Sequence, residues 1–193
     1  MRVVNPATEE TLAEIAPADR GTIAEAVRRA RRARPAWADT PLSVRSEVIR
    51  RFRGLTLEGA EALARTLTLE VGKPIGQSRS ELAGVVPRLD FFLGEIEAAL
   101  ADRLVLASAT DRLEERIRQE PLGLVANVSA WNYPWYVAAN VFLPALLAGN
   151  AVLYKPSEFA TLTGLEIARL LRQAGIPDDV FQVLVGDGRV GPC

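Results

Sequence analysis

The sequence predicts an α/β fold in which a parallel sheet covered by helices follows a helical N-terminal half and a protruding hairpin. Three observations indicate this fold class. Up to about Ala101, apolar residues recur mostly at helical spacing, and a polar two-stranded pattern follows. From Pro121, short apolar strands alternate with helices. Such alternation is typical of parallel sheets that are buried on both faces.

Helical periodicity predicts four helices in the N-terminal half. They span residues 22–34, about 43–55, about 57–71 and 78–101. Asp19 and Thr22 are plausible caps for the first helix, which we expect to stop at Pro35. Gly72 is expected to end the third helix, and Pro87 to kink or break the fourth.

The first helix carries an arginine-rich run, RRARRAR, at residues 28–34. Such runs can bind nucleic acid, but they also form ordinary solvated helix faces. No aromatic residues interleave with these arginines, and the net charge of the chain is -1. We therefore favour the solvated face and expect no nucleic-acid partner.

A hairpin is predicted where the periodicity changes. Residues 103–108 and 113–120 flank a short ATD turn, and the second strand is mostly charged. So polar a ribbon buries little by itself, and isolated hairpins are only marginally stable. We expect it to lean on another subunit or domain.

The last third of the chain contains three apolar strands and two helices. The strands are expected at 124–129, 151–155 and 181–185, and the helices at 135–147 and 161–174. Polar residues follow the strands at 129–132, 155–158 and 186–188. Because ligands of parallel sheets bind at the carboxyl ends of the strands, we expect these residues to meet at one site.

Composition excludes several classes of chemistry. The chain has 193 residues and no histidine, which removes Ser-His-Asp and Cys-His catalysis and almost all zinc sites, so we expect no metal. Cys193 is the one cysteine, so no disulfide forms within the chain. No apolar run reaches the roughly 18 residues of a membrane span, and no signal peptide is recognisable. We expect a cytoplasmic protein without a membrane partner.

Lysine is almost absent from the chain. Of 23 Lys and Arg residues, only Lys73 and Lys155 are lysine. A chain that uses arginine almost everywhere else indicates that these two positions need a compact ammonium group.

Three polar motifs have two interpretations each. Asn132 in SAWNYP either caps a helix or donates its amide to a developing oxyanion. Lys155 and Glu158 form either a surface turn with a weak ion pair or a clamp on a sugar. The glycine-rich segment GDGRVG, residues 186–191, is either a loop beside a ligand or a plain turn.

Five segments together resemble the aldehyde dehydrogenase superfamily. They are NPATEE, EVGKP, PLGLVANVSAWNYP, PALLAGNAVLYKPSE and AGIPDDVFQVLVGDG, in this order along the chain. The resemblance implies a Rossmann-like, truncated aldehyde dehydrogenase fold. Residues 1–102 would be the N-terminal helical part of the NAD(P)-binding domain, and 121–193 its first βαβαβ part. Residues 103–120 would be a hairpin that joins subunits into a homodimer or homotetramer.

The same resemblance implies roles for individual residues. Asn132 matches the oxyanion asparagine, and Tyr133 matches a position facing the substrate channel. The implied cofactor-binding residues are Ser129, Ala130, Trp131, Lys155, Ser157, Glu158 and Gly188. Within this group, Lys155 and Glu158 would hold the adenosine ribose, and Gly188 would lie near the adenine. A carboxylate at Glu158 favours NAD, although NADP is possible.

In this family a cysteine thiolate attacks an aldehyde, and a glutamate activates water to hydrolyse the resulting thioester. The resemblance implies that both residues lie further along than residue 193. Cys193 follows Gly-Pro and has no candidate base, so we do not expect it to be the nucleophile. We therefore expect the N-terminal part of an aldehyde dehydrogenase that is inactive alone. A non-catalytic assembly module that retains part of the cofactor cleft is the alternative.

Overall fold

The computed structural model describes residues 1–108, 110 and 112–188. Its helices are α1 (Arg20–Ala38), α2 (Leu42–Glu58), α3 (Ala60–Val71), α4 (Ile75–Leu100), α5 (Pro134–Leu147) and α6 (Thr161–Ala174). Its strands are β1 (Arg2–Val4), β2 (Thr11–Glu14), β3 (Arg103–Ser108), β4 (Leu113–Ile117), β5 (Leu124–Val128), β6 (Ala151–Lys155) and β7 (Phe181–Val183). A short 3₁₀ turn, Glu158–Ala160, precedes α6.

The predicted parallel sheet is present, with strand order β5-β6-β7. Val128 lies opposite Lys155, and Tyr154 lies opposite Val183. Helix α1 covers one face, where a small core forms around Ala30 and Leu153. On the other face, α5 and α6 separate the sheet from α2, α3 and α4, and the main hydrophobic core lies there. The α/β class with helices on both faces is therefore confirmed.

Helix α1 does not end, and helix α4 does not break, at the proline that each contains. Helix α1 passes through Pro35 and ends at Ala38. Trp37 anchors this last turn, because its indole is buried and donates to the carbonyl oxygen of Leu146 at 3.0 Å. Pro87 likewise does not break α4. Both prolines are solvent-exposed, so water can satisfy the carbonyl group that each proline leaves without a helical partner.

The N-terminal hairpin β1–β2 was not predicted. Its strands pair antiparallel, with Arg2 opposite Glu14. They are only three and four residues long, too short for a recognisable alternation. Asn5 closes the turn, because its side chain accepts a hydrogen bond from the backbone of Ala7 at 2.9 Å.

The predicted hairpin is present as β3–β4. Arg103 pairs with Ile117, so β4 ends three residues before the expected boundary at Glu120. Residues 109 and 111 of the predicted turn lie outside the described residues. Both strands are almost entirely exposed, including the apolar side chains of Leu104, Val105 and Leu106.

No helix within the described ranges has the length and apolar character that crossing a membrane requires.

Candidate functional site

The carboxyl ends of the three parallel strands meet at one rim of the sheet, which we call the carboxyl edge. A cavity of about 660 Å³ lies there, called cavity A below. Residues that follow all three strands line it: Trp131 after β5, Glu158 and Phe159 after β6, and Asp187 after β7. The N-terminal strand β1 and Glu70 contribute further walls. The sequence correctly predicted that the polar strand ends converge.

Lys155 and Glu158 lie side by side at the end of β6. The Lys155 ammonium is 3.9 Å from a carboxylate oxygen of Glu158, and it donates to the carbonyl oxygen of Pro156 at 3.0 Å. The ion pair is therefore a long one. The Glu158 side chain is 35% exposed and lines cavity A, so its carboxylate can still accept hydrogen bonds from a ligand.

Ser157 and Gly164 explain how this turn is held. The buried Ser157 hydroxyl accepts a hydrogen bond from the backbone of Phe159 at 3.3 Å and thus caps the 3₁₀ turn. A β-carbon at Gly164 would lie 2.7 Å from Pro156. Only glycine allows α6 to pack this closely against the turn that carries Lys155 and Glu158.

Ser129 continues β5, and its backbone donates to the carbonyl oxygen of Lys155 at 3.0 Å. Its buried hydroxyl and that of Tyr154 both lack a well-formed hydrogen bond within the described residues. Burial raises the pKa of the Tyr154 phenol well above its usual value, and the adjacent Ser129 hydroxyl only partly opposes this. Ala130 and Trp131 follow at the surface and are exposed.

Asn132 is exposed, and its side chain makes no hydrogen bond to any residue in the described part of the chain. The N-cap of α5 is Tyr133, and no side chain of the turn caps the helix. The helix-cap interpretation of Asn132 is therefore wrong. Trp131 on one side of Asn132 lines cavity A. Tyr133 on the other side lines a second cavity of about 490 Å³, called cavity B, together with Glu81 and Tyr136.

Glu81 caps α5 from another helix. One carboxylate oxygen accepts from the backbone of Trp135 at 2.9 Å, and the other is 2.5 Å from the Lys73 ammonium. Lys73 also donates to the carbonyl oxygen of Asn132 at 2.5 Å. Sequence reasoning did not assign a role to this pair, although the scarcity of lysine had marked Lys73.

Glu70 caps the N-terminus of α6 in the same way as Glu81 caps α5, and this role was not predicted from the sequence either. Its carboxylate accepts from the backbone N–H groups of Leu162 at 2.5 Å and Thr163 at 2.9 Å, and from the Thr163 hydroxyl at 3.0 Å. Burial raises the pKa of Glu70, while these hydrogen bonds act in the opposite direction.

Gly188 is exposed, and a β-carbon there would contact no neighbouring atom. The observed packing therefore gives no steric reason for glycine at this position. The remainder of the GDGRVG segment, residues 189–191, lies outside the described residues, as does Cys193.

The chain matches the family model described as "Aldehyde dehydrogenase family" over residues 1–192. It is also similar to several solved structures. An indole-3-acetaldehyde dehydrogenase is 35% identical, with a TM-score of 0.91, and the match covers 98% of this chain and 45% of that one. A putative methylmalonate-semialdehyde dehydrogenase from Sinorhizobium meliloti, complexed with NAD, is 29% identical (TM-score 0.91; 99% and 39% covered).

A glyceraldehyde-3-phosphate dehydrogenase from Methanocaldococcus jannaschii, complexed with NADP, is 25% identical, with a TM-score of 0.90. This match covers 98% of the present chain and 41% of the other. The chain thus spans about two-fifths of the length of the solved structures that it matches.

Proposed function

The chain belongs to the aldehyde dehydrogenase family, and we propose that it forms the N-terminal, cofactor-binding part of an NAD(P)-dependent enzyme that oxidises an aldehyde to a carboxylic acid. The position of Asn132 carries this proposal. In the sequence it stands between Trp131, which lines cavity A, and Tyr133, which lines cavity B, while Asn132 itself is exposed and lines neither cavity. This arrangement suits a donor that must act where a cofactor and a substrate meet.

Cavity A fits the sugar end of a dinucleotide. Glu158 offers acceptors for ribose hydroxyl groups, and Lys155 offers a donor beside it. Ser129, Ala130 and Trp131 would line the cleft, Ser157 would hold the clamp in place, and Gly188 would allow the adenine to approach the end of β7. The acid at Glu158 favours NAD over NADP, because a carboxylate repels a 2′-phosphate.

Asn132 would stabilise the reaction itself. Its NH2 group would donate to the carbonyl oxygen of the aldehyde as a cysteine thiolate adds to form a thiohemiacetal. Bound NAD(P)⁺ supplies the acceptor for the hydride that leaves the substrate carbon. The cysteine, and the glutamate whose activated water hydrolyses the thioester, would lie beyond this chain. Tyr133 would face the aldehyde from the side of cavity B.

The remaining parts of the chain would have assembly roles. We assign residues 1–102 and 121–193 to the NAD(P)-binding domain and 103–120 to subunit contacts. The hairpin supports this assignment, because Leu104, Val105 and Leu106 of β3 expose apolar side chains. Burying them against a second copy would give a homodimer or homotetramer.

A hybrid enzyme tests the proposal. Residues 1–188 would replace the matching part of the indole-3-acetaldehyde dehydrogenase, and NADH formation from the aldehyde would be measured. We expect activity, and Asn132→Ala should lower kcat by about 10²–10³-fold because it removes an oxyanion donor. Asn140→Ala is the matched control, since it removes an amide away from both cavities. An active hybrid whose kcat does not depend on Asn132 would contradict the proposal.

The 193-residue chain alone should form no NADH from any aldehyde. Measurable turnover by the purified chain would show that its own residues, Cys193 included, complete the site.

A further inference from the structure

A buried ion pair between Lys73 and Glu81 forms hydrogen bonds with the backbone of the turn that carries Asn132. Lys73 belongs to the loop between α3 and α4, and Glu81 belongs to α4. The Lys73 side chain is 10% exposed and that of Glu81 is 0% exposed. Lys73 holds the carbonyl oxygen of Asn132, and Glu81 holds the backbone N–H of Trp135. The two contacts bracket Tyr133 and Pro134.

Both charged side chains of the pair contact more than one group. The ammonium contacts the Glu81 carboxylate, the Asn132 carbonyl oxygen and the face of the Tyr133 ring, whose centroid is 4.3 Å away. A compact ammonium suits this enclosed position, whereas a guanidinium would bring five N–H donors. This is a physical reason for lysine in a chain that otherwise uses arginine at all basic positions except Lys155.

An exposed asparagine without hydrogen bonds needs a fixed backbone if its amide is to have one direction. The side-chain amide of Asn132 has no partner within the described part of the chain, so the turn itself must supply the order. Oxyanion donors act because they are already oriented before the charge develops. Holding the 132–133 peptide plane fixes the Cα–Cβ direction from which the Asn132 amide extends and so narrows the positions that this amide can reach.

We infer that Lys73 and Glu81 are positioning residues that orient the Asn132 amide. The hydrogen bonds from Lys73 and Glu81 to the turn are present in this chain whatever its function. That the oriented amide stabilises an oxyanion rests on the proposed function. The pair belongs to neither the proposed ribose clamp nor the catalytic groups, and it acts through the backbone of the turn.

The first test uses the unmodified chain and NMR. Because the chain has two lysines, lysine-selective labelling gives signals from only Lys73 and Lys155. We expect nuclear Overhauser contacts between the Lys73 side chain and the Tyr133 ring, and none from Lys155 to that ring. Absence of the Lys73 contacts would overturn the inference.

The second test uses the double variant Lys73→Met with Glu81→Gln, which removes both charges together and leaves neither one buried and unpaired. The glutamine side chain of this variant keeps an oxygen for the Trp135 N–H. We expect the side-chain NH2 signals of Asn132 to shift while the signals of β6 stay in place. In Lys155→Met, the matched control, the Asn132 signals should not move.

A purely structural pair would lower the melting temperature and leave the Asn132 side-chain signals of the folded variant unchanged, which would overturn the inference. If the double variant does not fold, the Asn132 side-chain NH2 signals are measured in Glu81→Gln alone, and the same shift is expected. A parallel titration of the unmodified chain with NAD distinguishes failure of the positioning role from failure of the proposed function. Failure to bind NAD would count against the proposed function and would leave the positioning role intact.

Discussion

Replacing Glu70 tests how α6, and with it the clamp at Lys155 and Glu158, is held against α3. Glu70→Ala removes the acceptor of three hydrogen bonds at the buried N-terminus of α6. An unpaired buried donor costs about 1–3 kcal/mol, and loss of a helix N-cap typically costs about 1 kcal/mol. Cavity A borders Glu70, so water can reach part of the gap. We expect the free energy of unfolding to fall by about 2–4 kcal/mol.

For a domain of this size, each 1 kcal/mol lowers the melting temperature by about 2–4 °C. Thermal unfolding followed by circular dichroism should therefore show a fall of roughly 4–16 °C for Glu70→Ala. A fall of less than about 2 °C would refute the view that Glu70 caps α6. Glu61→Ala is the matched control, because that carboxylate pairs with Arg65 and Arg79 at the surface and contributes little.

The pH dependence gives a sharper version of the same test. Burial raises the pKa of Glu70 above its ordinary value of 4.5, so between these two pKa values the folded chain binds more protons than the unfolded one. The part of the Glu70 contribution that comes from the raised pKa is then complete below about pH 4.5 and is lost as the pH rises through the folded pKa. A glutamine side chain at this position does not titrate. The stability advantage of the unmodified chain over Glu70→Gln should shrink from acidic to neutral pH, and an advantage that grows instead would refute the assigned cause.

Three other substitutions give independent checks. Arg45→Met should lower the free energy of unfolding by about 2–4 kcal/mol in denaturant titrations, because the buried guanidinium donates to three main-chain carbonyl groups. Gly72→Ala should cost at least roughly 1–2 kcal/mol, since φ is +81° and the new β-carbon would lie 2.6 Å from Pro6; an unchanged midpoint would contradict this. Glu158→Gln should raise the affinity for NADP relative to NAD by about tenfold, equivalent to about 1.4 kcal/mol, in binding titrations, and an unchanged ratio would count against the clamp.

The sequence predicted the sheet well because its strands are continuous apolar runs separated by helices with clear ends. Gly72, for example, adopts a left-handed conformation and ends α3 as expected. The helix limits near prolines were harder to predict, since local preference at Pro35 is overridden by the burial of Trp37 two residues later. The short strands β1 and β2 carried too few residues to show a period.

The candidate site was predictable only where residues follow one another along the chain. Ser129 to Tyr133 and Lys155 to Glu158 are contiguous segments next to strands, so their placement at the carboxyl edge followed from the fold. Glu70 and Glu81 act on helices that begin more than 50 residues later, with hydrogen bonds spanning 92 and 54 positions. No local pattern shows such a partner, and in sequence both carboxylates resemble ordinary surface residues of a helix.

The most direct test of the account is a titration of the 193-residue chain with NAD, followed by amide and indole signals in NMR. We predict that shifts concentrate at Ser129–Trp131, at Lys155–Glu158 and around Gly188, and that they weaken in Glu158→Ala. Shifts confined to cavity B or to α1, or no shifts at any NAD concentration, would contradict the assignment of the carboxyl edge as a cofactor site.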